Sequence, residues 1–109
     1  MAFDEELAAR VRTALGRTRG VTEKKMFGGL GFLLQGNMLI GVWKEWLIAR
    51  LGPEQAEDAL VEAHVKVFDI TGKAMAGWVM VASAGVQEAD DVKSWVQRAL
   101  KFVRKLPAK

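Results

Sequence analysis

A chain of 109 residues with a net charge of +3 has the size of one folding domain, long enough to bury a core without metals or disulfides and too short for two separate cores. Half of the residues are hydrophobic and 27% are charged, an ordinary globular balance that excludes a disordered chain. The absence of cysteine excludes disulfides, thiolate zinc sites, iron–sulfur clusters and cysteine nucleophiles, and it suits a reducing cytoplasm.

The acidic start, Met1 to Glu6, runs directly into an amphipathic pattern, unlike the basic and then uninterrupted apolar start of an export signal. Phe3, Leu7, Val11, Ala14 and Leu15 recur at helical spacing, Asp4 can cap, and Gly20 follows as a stop, which predicts a helix over 4–18. From Val21 the chain turns to strand-like residues. Gly36-Asn37 separates the apolar runs 31–35 and 38–42 as a tight hairpin would. Strands are predicted near 22–27, 31–35, 38–43 and 46–51, arranged as an antiparallel meander. The stretch from Leu30 to Trp43 is broken by Gln35 and Asn37 and falls short of the roughly 20 apolar residues that span a bilayer.

Gly52-Pro53-Glu54 opens a short helix to Ala63, because proline at the first helical position lacks only an N–H that has no partner there. Val65, Val67 and Phe68 suggest a brief strand, Thr71-Gly72 a turn, and 78–82 a further strand. Val92, Trp95, Val96, Ala99, Leu100, Val103 and Leu106 trace one face of a helix over 90–105, acidic at its start and basic at its end, as the helix dipole favours. The fold class is therefore α+β: two layers, an antiparallel sheet of about five strands covered by N- and C-terminal amphipathic helices, in the order α, three or four strands, α, one or two strands, α.

Charge is unevenly distributed. Residues 92–109 hold six basic and no acidic side chains, and Lys93, Arg98, Lys101, Arg104 and Lys105 are the candidate nucleic-acid contacts, with Arg10, Arg12, Arg17 and Arg19 extending them if the long helices pack side by side. The plainer reading is the solvated side of an amphipathic helix. Trp43 and Trp46 flank a turn and are the candidate partner or homodimer surface, whereas Trp95 belongs to the core.

The string from Met26 through Phe27, Gly28, Gly29 and Gly31 is glycine-rich, but it lacks the Lys-Ser/Thr pair of a phosphate loop and is not followed by a helix, so close backbone approach between strands is the favoured role. A weaker alternative is a small-ligand site or enzyme that uses this junction with a neighbouring carboxylate such as Asp69. His64 is the only histidine and is expected to end the short helix. Glu54, Glu57, Asp58 and Glu62 lack the spacing of a calcium loop, and Ser83 and Ser94 stand in no nucleophile motif. No catalytic residue, metal ligand or cofactor site is expected.

The strings Thr22 to Phe32, Gly36-Asn37-Met38, Arg50 to Glu54, and Thr71 to Val79 with its Met75-x-Gly77-Trp78 core resemble the N-terminal domain of the TfoX/Sxy family over essentially the whole chain. The resemblance implies a fold like that of the YgaC and secretion-chaperone-like proteins, often dimeric, in a bacterial cytoplasm. It also implies a regulatory setting, since family members regulate competence and act with the transcription machinery. The full-length regulators carry a second, helical domain that this sequence does not contain. A non-enzymatic, protein-binding regulatory module is thus the leading expectation, with an unidentified protein partner and a homodimer allowed. Nucleic-acid binding through the basic C-terminal helix is the alternative, and membrane association is not expected.

Overall fold

In the computed structural model, which describes residues 3–26, 28–69 and 76–108, Asp4 fixes the start of the first helix. One carboxylate oxygen accepts the N–H groups of Glu6 and Leu7 at 2.9 and 3.1 Å, which satisfies donors that have no partner within the helix. Helix α1 runs over Glu5–Leu15. It ends earlier than predicted because Gly16, at φ +53°, leaves the helix and returns its N–H to the Arg12 carbonyl.

Strands β1 (Val21–Met26), β2 (Gly29–Leu34), β3 (Asn37–Trp43) and β4 (Trp46–Arg50) form the expected meander. The β2–β3 turn is Gln35-Gly36, not Gly36-Asn37: both residues have positive φ, 50° and 86°, the backbone that matches hairpin twist. Asn37 instead begins β3 and is buried, its side-chain amide donating to the Pro107 carbonyl at 2.8 Å. The C-terminal tail is thereby tied to the sheet, whereas the sequence suggested no role for it.

Helix α2 spans Pro53–Ala59 and stops short of the predicted Ala63, leaving Leu60 and Val61 exposed. His64 therefore lies in the connection to β5 rather than at a helix end, with φ +69°. Strand β5 (Val65–Val67) and strand β6 (Trp78–Val81) follow, then a single 3-10 turn, Ser83–Gly85, and helix α3, Ala89–Val103. Among the described residues the sheet has six strands, the upper end of the expected three or four plus one or two, all antiparallel, in the order β1-β2-β3-β4-β6-β5.

Strand alternation divides the apolar residues between two faces. On the inner face Leu30, Phe32, Ile40, Val42, Leu47, Ala49, Val79 and Val81 meet Leu7, Val11 and Leu15 of α1 and Val92, Trp95, Val96, Leu100 and Val103 of α3. Leu39 joins Ile40 in this core because the β2–β3 register slips after Phe32 and leaves Leu39 as the extra residue of a bulge. On the outer face Ile48, Phe68 and Met80 form a separate cluster with Trp43, Trp46 and Trp78 packed against it.

Candidate functional site

Trp43 and Trp46 are paired across the tight turn at Lys44-Glu45 and both point away from the helices. Trp78, on β6, faces the same way beside Arg50. Ile48 and Met80 are fully buried beneath these rings, so the indoles form the outer surface of a small second core. Each ring carries a cation: the Lys44 ammonium lies 4.7 Å from the centroid of Trp43, the Lys66 ammonium 5.2 Å from that of Trp46, and the Arg50 guanidinium 5.3 Å from that of Trp78. Such contacts are attractive because the ring faces are electron-rich. Lys24 pairs with Gly31 in the ladder and adds a positive charge on the same face.

The glycine-rich string lies at one end of this face. Gly28 forms the β1–β2 turn at φ +77°, where a β-carbon would come 3.9 Å from the Trp43 indole nitrogen. Gly31 lies beneath two thioethers, with a β-carbon there only 2.8 Å from the Met26 sulfur and 3.1 Å from that of Met38. These glycines admit close packing on the sheet surface. Phe27 and Met75, like the Thr71-Gly72 turn, lie outside the described residues. Gly77, at φ +90°, sits against the backbone of Gly52 and accepts the N–H groups of Leu51 and Gly52 at 2.8 and 3.1 Å. Asp69 follows β5, and three strands separate β5 from the glycine-rich β2. The sheet therefore does not bring that carboxylate to the glycine junction.

The basic residues of α3 and of the turn that follows it diverge. Arg98, Lys101 and Lys105 line a cleft of about 470 Å³ with residues 51–55 and Phe102, whereas Arg104 turns to a separate hollow with Arg19. Lys93 is exposed and lines neither. Arg98 is held by Glu62 through two hydrogen bonds, 2.7 and 3.1 Å, and lies 4.2 Å from the Trp95 ring centroid. Arg12 forms a two-bond pair with Glu23 on β1, at 2.8 Å for each bond. That hydrogen bonding draws the Glu23 carboxyl below its ordinary pKa and raises the Arg12 guanidinium above its own. The arginines of α1 thus do not all extend the α3 charges.

Sequence reasoning missed the cleft, although residues 98, 101 and 105 stand at the spacing of one helical stripe. Among the described residues no group of acidic or histidine side chains is arranged to hold a metal ion, and no helix is long and apolar enough to cross a membrane.

With this architecture in place, the profile of the TfoX N-terminal domain matches residues 13–103. The chain belongs to the TfoX N-terminal domain family. The match extends from α1 to the last residue of α3, so it includes the sheet, the tryptophan face and every residue of the cleft of this TfoX N-terminal domain except Lys105. No curated protein and no solved structure matches the chain.

Proposed function

We propose that this TfoX N-terminal domain is a non-enzymatic regulatory module that binds a partner protein through the outer face of its sheet. The observation that carries the reading is the set of three tryptophans, Trp43, Trp46 and Trp78, seated on a buried Ile48–Met80 floor with Lys44, Lys66 and Arg50 over their rings. Tryptophan and arginine are the residues that most often anchor protein interfaces, and a ring already fixed by packing loses little freedom on binding. The cations favour a partner that presents carboxylates around an apolar centre. A bacterial cytoplasm fits this reading, and the cysteine-free sequence suits it.

The test is capture from the native host with nuclease present, comparing the wild type with the double variant Lys44→Glu, Lys66→Glu. Both side chains are exposed, so the fold should tolerate the change. Saturable binding of one acidic protein, abolished by the double variant, supports the reading. A captured species that is only a second copy of the chain, or binding unaffected by the charge reversal, contradicts it.

Nucleic-acid binding through α3 is a second reading, favoured by the exposed Lys93, Lys101, Arg104 and Lys105. It is weakened by the divergence of Arg104 from Lys101 and Lys105, since a duplex backbone is met by an aligned stripe of cations.

A further inference from the structure

On the helix side of the sheet, the cleft between the start of α2 and the C-terminal end of α3 joins segments far apart in the chain. Its apolar wall comes from Leu51, Pro53 and Phe102, and its charged wall from Arg98, Lys101 and Lys105. We propose that it binds a small organic phosphate of about nucleotide size, the phosphate meeting the three cations and the apolar or planar part of the molecule resting against Phe102.

Five observations converge on that ligand. The volume, about 470 Å³, falls within the range of small-molecule sites, roughly 300–1,000 Å³. Lys101 and Lys105 are exposed and form no ion pair among the described residues, so their charges are available. Arg98 is held in place by Glu62 and by the Trp95 ring, and the Glu62 bonds use two of the five N–H groups of its guanidinium. Phe102 is held against Gly52, where a β-carbon would stand 2.5 Å from the ring, and the Arg50 guanidinium lies 5.9 Å from its centroid. Cations outnumber carboxylates on the lining, where Glu54 is the single acidic side chain. A concave site with one charged and one apolar wall suits a small amphipathic anion better than a rigid duplex, whose phosphates lie on a convex surface.

The inference is separable from the outer-face reading, because no residue that lines the cleft belongs to the tryptophan face, although Arg50 lies near both Trp78 and Phe102. It is tested by amide NMR titration of the full chain with ADP, glucose 6-phosphate and inorganic pyrophosphate in parallel. The expected result is saturable shifts at Gly52, Gln55, Lys101 and Phe102 with at least one of the two esters, tighter binding of that ester than of pyrophosphate, and weakening on added salt. Loss of both lysines in the variant Lys101→Ala, Lys105→Ala should weaken binding at least about tenfold, as expected for losing hydrogen bonds to charged groups, while its spectrum otherwise stays that of the folded wild type. ADP binding with no response to glucose 6-phosphate assigns the apolar wall to a base, and the reverse assigns it to a sugar. No saturable shift with either ester, equal affinity for pyrophosphate, shifts away from the cleft, or short duplex DNA binding more tightly than either ester through the same lysines would overturn it.

Discussion

The ring of Phe102 lies so close to Gly52 that a β-carbon on residue 52 would come 2.5 Å from Cδ1. Gly52 also has φ +88° and ψ 157°, a conformation that is essentially restricted to glycine. Gly52→Ala should therefore combine backbone strain with a clash against α3 and lower stability by about 2–4 kcal/mol. Urea unfolding measures it. A loss below about 1 kcal/mol would show that α3 does not pack here as described.

Gly31→Ala should be milder. The atoms nearest to its β-carbon would be the Met26 sulfur and Cγ and the Met38 sulfur, which belong to flexible chains that can move aside. A loss of about 1–2 kcal/mol is expected, and Met26→Ala in the same chain should recover part of it. Equal losses in single and double variants would contradict this packing.

Asn37 donates its side-chain amide to the Pro107 carbonyl at 2.8 Å. Asn37→Ala should cost about 1–2 kcal/mol, the usual range for a lost hydrogen bond at a buried site. It should also speed hydrogen exchange at Lys105 and Leu106, whose N–H groups bond the Phe102 and Val103 carbonyls, while leaving the middle of α3 protected. Unchanged exchange at the C-terminus would show that the tail is held by something else.

The pair between Arg12 and Glu23 sets a pH dependence of known sign. The guanidinium lowers the Glu23 pKa in the folded state, so the pair's contribution is fully present above the ordinary carboxylate pKa and is lost as pH falls through the lower, folded value. Both side chains are more than a third exposed, 45% and 39%, so the contribution is at most about 0.5–1 kcal/mol after solvent screening. Glu23→Gln should remove that portion of acid sensitivity and little else, as read from urea midpoints across the acidic range. A loss of stability that persists below the folded Glu23 pKa would assign its role to packing.

Local pattern made much of the fold legible. The apolar stripe of α3 and the alternation through β2, β3 and β4 each follow from a period repeated over enough residues to outweigh single exceptions. Ends were less legible. Gly20 is the stop that the pattern predicts, yet the backbone leaves the helix at Gly16; Gly36-Asn37 is the predicted turn, yet the turn is Gln35-Gly36 and Asn37 is buried against Pro107.

The insertion of β6 between β4 and β5 depends on long-range pairing, which no local signal specifies. The same pairing brings Lys66 of the edge strand β5 over Trp46 of β4. The outer face was therefore visible as two tryptophans at a turn, but not as three rings each carrying a cation. The cleft was hidden because half of it comes from residues 51–55, the junction of β4 with the first turn of α2, which carry no charge pattern of their own beyond Glu54.

The most direct test of the partner-binding reading is lysine crosslinking with mass spectrometry in the native host, with and without nuclease, because lysines mark both sides of the molecule. Lys24, Lys44 and Lys66 lie on the outer sheet face, and Lys93 and Lys101 on α3 with Lys105 in the turn that follows it. Nuclease-resistant crosslinks from Lys44 and Lys66 to one partner protein are the predicted result. Crosslinks confined to the α3 lysines and lost on nuclease treatment would contradict it and transfer function to the basic helix.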